Sequence, residues 1–230
     1  ALAIDVSHRA SSPYVASQAA ARAALLTPLA KAFSTDIANE VTSLSVHVHG
    51  GMGYIEETGA AQHFRDARIT AIYEGTNGIQ AIDLVTRKLA ADKGEAMLAL
   101  IHDLEAIAMQ AGQSDHAPLK ALSAPMFDAI AHLKQASLRM IETLNRDPST
   151  ALAGASDFLR LASLVTGGAL LTKSALKAFA REGEVPASLK AFALAQFFVT
   201  HIMVFVAALA ACASAPMPSA ASRDALLNSN

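Results

Sequence analysis

Apolar residues along this chain recur at spacings of three and four rather than in alternation, a pattern that predicts helices throughout. Leu29, Phe33, Ile37, Val41, Leu44 and Val48 mark one face of a helix over residues 29–48. An alanine-rich stretch over 15–26 precedes it, and Thr27-Pro28 reads as an N-cap followed by proline at the first helical position. The run His49-Gly50-Gly51-Met52-Gly53 ends the helix, because glycine takes the left-handed conformation of a helix C-terminus without steric cost. Residues 54–72 read as a connector with Arg65-Asp66-Ala67-Arg68 near its end. A further helix over about 75–91 carries Ile79, Ile82, Val85 and Leu89 on one face.

Beyond Asp92-Lys93-Gly94 the pattern predicts four more helices. The first covers 96–111 and stops at Gly112. The second covers 119–146, with Leu119, Leu122, Met126, Ile130, Leu133, Met140 and Leu144 in a near-heptad stripe. Pro125 places its regular start near Ser123 or Ala124 as cap. The third and fourth cover 149–180 and 186–213, after Asp147-Pro148 and Gly183. Short connections make an up-and-down bundle the simplest packing. The expected fold class is therefore all-α. Its expected parts are a first helical unit over 1–92, a helical extension over 93–213, and a flexible tail over 214–230 that carries Pro216 and Pro218. Residues 191–213 contain no Asp, Glu, Lys or Arg over 23 positions, which meets the length of a membrane span. Gln196, Thr200, His201 and the many alanines favour a helix buried on most sides of a soluble bundle, with no membrane association.

Composition narrows the function classes. Hydrophobic residues make up 53% of the 230, enough to fill a sizeable core. A net charge of -2 and the absence of Trp leave no electrostatic or stacking footprint for nucleic acid. Cys212 is the only cysteine, which excludes an intrachain disulfide and a cysteine-rich zinc site and fits a reducing, cytoplasmic compartment. The start at Ala1, with no basic segment and apolar run of a signal peptide, reads as a chain cut from a longer one.

Glu74 stands in Ile72-Tyr73-Glu74-Gly75-Thr76-Asn77, between apolar residues and a helix start. Buried there, its carboxylate would be poorly solvated and shifted towards the range useful for a base. The commoner reading of such a residue is a solvated acid favoured by the helix dipole. Gly50-Gly51-Met52-Gly53 follows a helix and not a strand, so the dinucleotide fingerprint and the P-loop both fit poorly. His47 and His49, two residues apart, lie on different sides of a helix and cannot share a metal, so no metal site is expected. His201 reads as a hydrogen-bonded core histidine, and Arg65, Asp66 and Arg68 as a structural ion-pair network.

Taken together, Ala30-Lys31-Ala32-Phe33, Asp36-Ile37-Ala38-Asn39, Gly50-Gly51-Met52-Gly53-Tyr54, Arg65-Asp66-Ala67-Arg68-Ile69 and Ile72-Tyr73-Glu74-Gly75-Thr76-Asn77 resemble the carboxyl-terminal signature of the acyl-CoA dehydrogenases, in order and in spacing. The helical extension after Asp92 is similar to the 3-methylthiopropionyl-CoA dehydrogenase-type branch. The resemblance implies a flavoprotein that oxidises an acyl-CoA thioester to the trans-2-enoyl-CoA, with FAD as cofactor and Glu74 as catalytic base. It implies that Tyr73 and Gly75 line the acyl-CoA pocket. Thr76, Asn77 and Gly78 would touch FAD, and His47, Val48, His49, Gly50 and Gly51 would meet the FAD of a neighbouring subunit. Two departures stand out: His47 replaces the usual glutamine, and Gly78 replaces a longer side chain. A homodimer or homotetramer is implied, with electron-transfer flavoprotein as electron acceptor. Nothing here resembles the family's preceding domains, so this polypeptide alone is expected to be inactive. A helical oligomerisation or interaction module that keeps the signature without activity is the alternative.

Overall fold

The structure, a computed structural model, describes residues 2–182 and 185–216. Every regular element among them is helical. Most of the tail expected over 214–230 lies outside the described residues.

Helix α1 (Leu2–Arg9) leads into α2 (Pro13–Val48), a single helix of 36 residues. One helix thus replaces the two expected on either side of Thr27-Pro28. Thr27 Oγ1 donates to the Ala23 carbonyl at 2.8 Å and caps nothing. Pro28 lies inside the helix, where a missing N–H and a ring clash cost about 3 kcal/mol. Leu25, Pro28, Leu29 and Ala32 are buried together on that turn. At roughly 1.5–3 kcal/mol per buried Leu, their burial outweighs the proline. The apolar stripe then divides: Leu29 is buried, whereas Val41, Leu44 and Val48 are 56%, 52% and 84% exposed.

The short α3 (Gly51–Tyr54) and a 3₁₀ turn at Glu56–Thr58 precede α4 (Ala60–Thr70), so the expected connector is mostly helix. Gly59, at φ 74°, turns the chain, and Ala60, Ala61 and Ala67 bury small side chains. Next, α5 (Asn77–Asp83) runs into a π-helical stretch, Leu84–Leu89, in which Leu84, Val85 and Leu89 are fully buried. The wider turn brings Lys88, five residues on, within 3.4 Å of Asp83, while Arg87 reaches the same carboxylate at 3.2 Å.

The extension comprises α6 (Glu95–Gly112), α7 (Ala117–Lys120), α8 (Ser123–Arg146), α9 (Pro148–Ala153), α10 (Ala155–Glu182), α11 (Pro186–Phe197) and α12 (Val206–Ala213). Between α11 and α12 the helix widens at Phe198–Ile202 and tightens at Met203–Phe205. Gly94 lies against Ile141, and Gly112 against Ser123, so α6 and α8 are antiparallel. Gly154 lies against Ala213, Gly167 against Phe198 and Gly168 against Met203, so the last helix runs back along α10. The expected stripe of α8 is the core: Met126, Ile130, Leu133 and Met140 are at most 2% exposed.

Three expectations are corrected. Ser123 does not cap α8; its hydroxyl donates to the Ala108 carbonyl at 2.8 Å and ties α8 to α6. The helix expected over 149–180 breaks at Gly154, where a Cβ would collide with the Ala213 carbonyl. The segment Pro186–Ala213 is long and apolar enough to cross a membrane, yet only 22% of its most apolar window is buried. It packs on α10 and α8 through Ala195, Val199, Met203, Val206 and Ala213, and Leu194, Phe197, Val204 and Phe205 face outwards. A single layer of neighbours beneath a helix covers one side of it, not most.

Leu133 is fully buried at the centre of the α8 stripe. Leu133→Ala is expected to lose about 2–5 kcal/mol through lost burial and a residual cavity, measured by urea unfolding.

Candidate active site

Glu74 sits in the turn between α4 and α5 and holds a left-handed backbone at φ 55°, followed by Gly75 at φ 85°. For a residue with a Cβ this conformation costs roughly 1–2 kcal/mol. Neighbouring groups hold it there. Lys31 on α2 donates to the Gly75 carbonyl at 2.7 Å and to Asn77 Oδ1 at 2.8 Å. Gln80 Nε2 donates to the Glu74 carbonyl at 3.0 Å, and the Asn77 N–H to the Ala71 carbonyl at 3.2 Å. Thr76 caps α5, its Oγ1 accepting from the Ile79 N–H at 3.3 Å.

Asn77 is the hub of this arrangement. Its Nδ2 donates to Asp36 Oδ1 at 2.6 Å, to Thr35 Oγ1 at 2.9 Å and to the Ala32 carbonyl at 3.2 Å. Asn39, one turn further along α2, donates to the Ala67 carbonyl of α4 at 3.3 Å. Lys31, Thr35 and Asn39 thus form a polar ridge at i, i+4, i+8 along α2, and the turn that carries Glu74 is laid on it. In the sequence, Lys31 and Asn39 stand out only as members of the family-like motifs, and Thr35 does not stand out at all. Their four-residue spacing was the available signal.

The Glu74 side chain is exposed in this chain and lies at a cavity of 420 Å³. Gly75, Ile79, Gln80, Asp83 and Lys88 share its lining. Tyr73 stands beside it, 50% exposed, with Thr76 and Gly78 also at the surface. Among the described residues the Glu74 N–H has no hydrogen-bond partner, which leaves it free to donate to a ligand. Tyr73, Glu74, Gly75, Thr76, Asn77 and Gly78 therefore form one group.

His47, Val48, His49, Gly50 and Gly51 form another, at the far end of α2. Lys31 and His47 are sixteen residues apart, about 24 Å along the helix axis. The helix ends as expected, with Gly50 at φ 59°, and a Cβ at Gly50 or Gly51 would meet nothing within 4 Å. His47 borders a cavity of 790 Å³, shared with Val46, Tyr54, Glu56, Phe64 and Arg65. There Arg65 makes a bidentate pair with Glu56, both oxygens at 2.8 Å. Hydrogen bonding and charge from Arg65 hold the Glu56 carboxyl below its ordinary value, and Glu56 raises the guanidinium. The network expected within Arg65, Asp66 and Arg68 is thus a pair with Glu56, while Arg68 lies over the Phe64 ring at 5.1 Å. His201 is corrected too: it is exposed, with its ring 4.9 Å from that of Phe197.

Three outcomes test this geometry. Glu74→Gly should relieve the left-handed strain and stabilise the fold by roughly 1 kcal/mol in urea unfolding, whereas Asn77→Ala should destabilise it by about 1–3 kcal/mol. Arg65→Gln should return the Glu56 carboxyl, followed by NMR, towards its ordinary value of 4.5. Because the folded-state pKa is the lower one, the pair's stabilising contribution is present above the ordinary value and fades as pH falls through the folded one.

Comparison with known proteins agrees with the motif pattern. Residues 7–89 match the acyl-CoA dehydrogenase C-terminal domain, and residues 84–222 match the family described as acetyl-CoA dehydrogenase C-terminal like. The 3-methylmercaptopropionyl-CoA dehydrogenase of Ruegeria pomeroyi is 38% identical over 192 residues, which cover 81% of this chain and 32% of the relative. A short-chain-specific acyl-CoA dehydrogenase of Megasphaera elsdenii is 52% identical over 52 residues, 23% of this chain and 14% of the relative. The human mitochondrial short-chain-specific acyl-CoA dehydrogenase is 44% identical over 54 residues, 24% of this chain and 13% of the relative. The chain therefore spans about a third of the first of these relatives and less of the others. On the strength of these matches and the all-helical fold, the chain belongs to the acyl-CoA dehydrogenase family, as its carboxyl-terminal helical domain with a helical extension.

Proposed function

We propose that this chain supplies the catalytic base, Glu74, for the flavin-dependent α,β-dehydrogenation of an acyl-CoA thioester. The observation that carries the reading is the Glu74 turn itself. A carboxylate is held on a left-handed residue by Lys31 and Asn77, with a free N–H beside it. Strain held in place by its surroundings is characteristic of functional turns.

An α C–H is too weak an acid unless the thioester oxygen is stabilised as it takes on enolate charge. The free Glu74 N–H is a donor fixed in advance for that oxygen, and one such donor is worth about a hundred- to a thousand-fold in rate. The Glu74 carboxylate takes the α proton, and the β hydrogen departs with its electron pair as the C=C bond forms. The chemistry that FAD would supply here, when bound, is that of the hydride acceptor. Tyr73 and Gly75 border the acyl chain, and Thr76 and Gly78 offer exposed groups to the cofactor. The Asn77 amide serves by fixing the turn. His47–Gly51 fit a different part of a flavin or a different flavin, since about 24 Å separates them from the turn's anchor. The bare backbone at Gly50 and Gly51 leaves room for such a ligand.

The exposed Glu74 carboxylate needs a second domain or subunit over it to exclude water and strengthen these interactions. Ile69 and Ile72 near the turn leave apolar surface for that contact. A division near Asp92, a soluble cytoplasmic homodimer or homotetramer, and electron-transfer flavoprotein as acceptor complete the proposal. The same exposure favours a second reading, a helical interaction module without chemistry.

The deciding experiment uses an enzyme in which this chain accompanies its flavin-bearing domain. Glu74→Gln should slow flavin reduction by acyl-CoA by about 10²–10⁴-fold in stopped-flow measurements, with flavin binding retained. Unchanged reduction places the base elsewhere. Absence of reduction in the unsubstituted, flavin-loaded protein favours the interaction module.

A further inference from the structure

Gln80 stands on the first turn of α5, and its N–H donates to the carbonyl of the N-cap residue Thr76 at 3.0 Å. Side chains on a helix lean towards its N-terminus, so this amide reaches back over the turn before it. There Gln80 Nε2 donates to the Glu74 carbonyl at 3.0 Å, and among the described residues no other side chain bonds to Glu74. The amide lies close over the next residue: a Cβ on Gly75 would come within 3.2 Å of Nε2. Gln80 and Glu74 border the same cavity of 420 Å³, whereas Lys31 and Asn77 do not. The turn is thus held by α2 through Lys31 and by the cavity wall through Gln80.

The two anchors act on successive carbonyls. Lys31 fixes the Gly75 oxygen, and Gln80 fixes the Glu74 oxygen. The peptide between Glu74 and Gly75 is flanked by two left-handed residues, at φ 55° and 85°. Gly75 does little to stop that peptide rotating, since glycine takes either sign of φ with similar ease. Glu74 gains by the rotation, because a residue with a Cβ is strained in the left-handed region. The hydrogen bond from Gln80 restrains the very carbonyl that would swing. Once it swings, Glu74 can leave the left-handed region, and its N–H and carboxylate are re-aimed together.

We propose that Gln80 is a positioning residue, whose amide sets where the Glu74 donor and base point. This inference rests on the reading of Glu74 as the base. Its effect on rate is large because a misplacement of about 1 Å can cost a reaction roughly a hundredfold.

The test uses the enzyme in which this chain accompanies its flavin-bearing domain, with flavin reduction by acyl-CoA followed in stopped flow. Gln80→Met keeps length and helix propensity and removes the donor. It should slow reduction about 10–100-fold, with half-saturation by the substrate changed less than about threefold. Deuterium at the substrate α carbon should slow this variant more than the unsubstituted enzyme, because proton removal has become the harder step. Gln80→Lys restores a donor at that reach and should recover most of the lost rate. Should Gln80→Met lose its flavin, Gln80→Glu takes its place, since it keeps the shape and cannot donate when ionised. Three results overturn the proposal: a rate within about twofold of the unsubstituted enzyme, a slower rate with an unchanged α-deuterium effect, or Gln80→Lys no faster than the donor-free variant. Glu74→Gln, run beside them, separates the two readings. If it slows reduction and the loss of the Gln80 donor does not, only the role of Gln80 falls. If it leaves reduction unchanged, the base lies elsewhere and both readings fall.

Discussion

Glu74 stands on a backbone that a residue with a Cβ adopts only when something else insists on it, and the insistence comes from α2. The Lys31 ammonium grips the Gly75 carbonyl and the Asn77 amide at once, while Asn77 reaches back to Asp36, Thr35 and Ala32. Hydrogen bonds to charged groups contribute about 1.5–3 kcal/mol each, so two or three exceed the roughly 1–2 kcal/mol that the left-handed residue costs. Cost and anchor are therefore matched in scale, and the carboxylate is placed by the fold, not by its own preference. The ridge works because α2 is one uninterrupted helix. A break at Pro28 would turn Lys31, Thr35 and Asn39 relative to the buried face that seats α2 on the core.

The same helix shows where the chain is finished and where it is not. Its first half is buried by the extension, through Leu25, Leu29 and Ala32. Its second half continues the apolar stripe into open solvent at Val41, Leu44 and Val48. Apolar surface at this spacing lowers free energy only when something covers it. It lies between the Glu74 turn and the His47–Gly51 turn, the two places where the family signature expects cofactor and substrate.

Much of this was legible in the sequence, for physical reasons that differ by element. The α8 stripe was readable because Met126, Ile130, Leu133 and Met140 are buried by neighbours in the same chain, so periodicity and burial coincide. The turn at Gly50 was readable because glycine at a helix C-terminus has few alternatives. The left-handed Glu74 was not, since its conformation is imposed by groups some forty residues away. Pro28 misled because local propensity predicts a start, whereas the burial around it decides. The stretch around α4 misled because its helix buries only alanines and leaves no bulky stripe to count.

The last helix marks the limit of composition as a guide. A charge-free, alanine-rich segment is what a membrane span, a buried core helix and a helix–helix interface all require, because each removes the same side chains from water. Only the surroundings separate them, and here α10 and α8 cover one side through Ala195, Val199, Met203 and Val206.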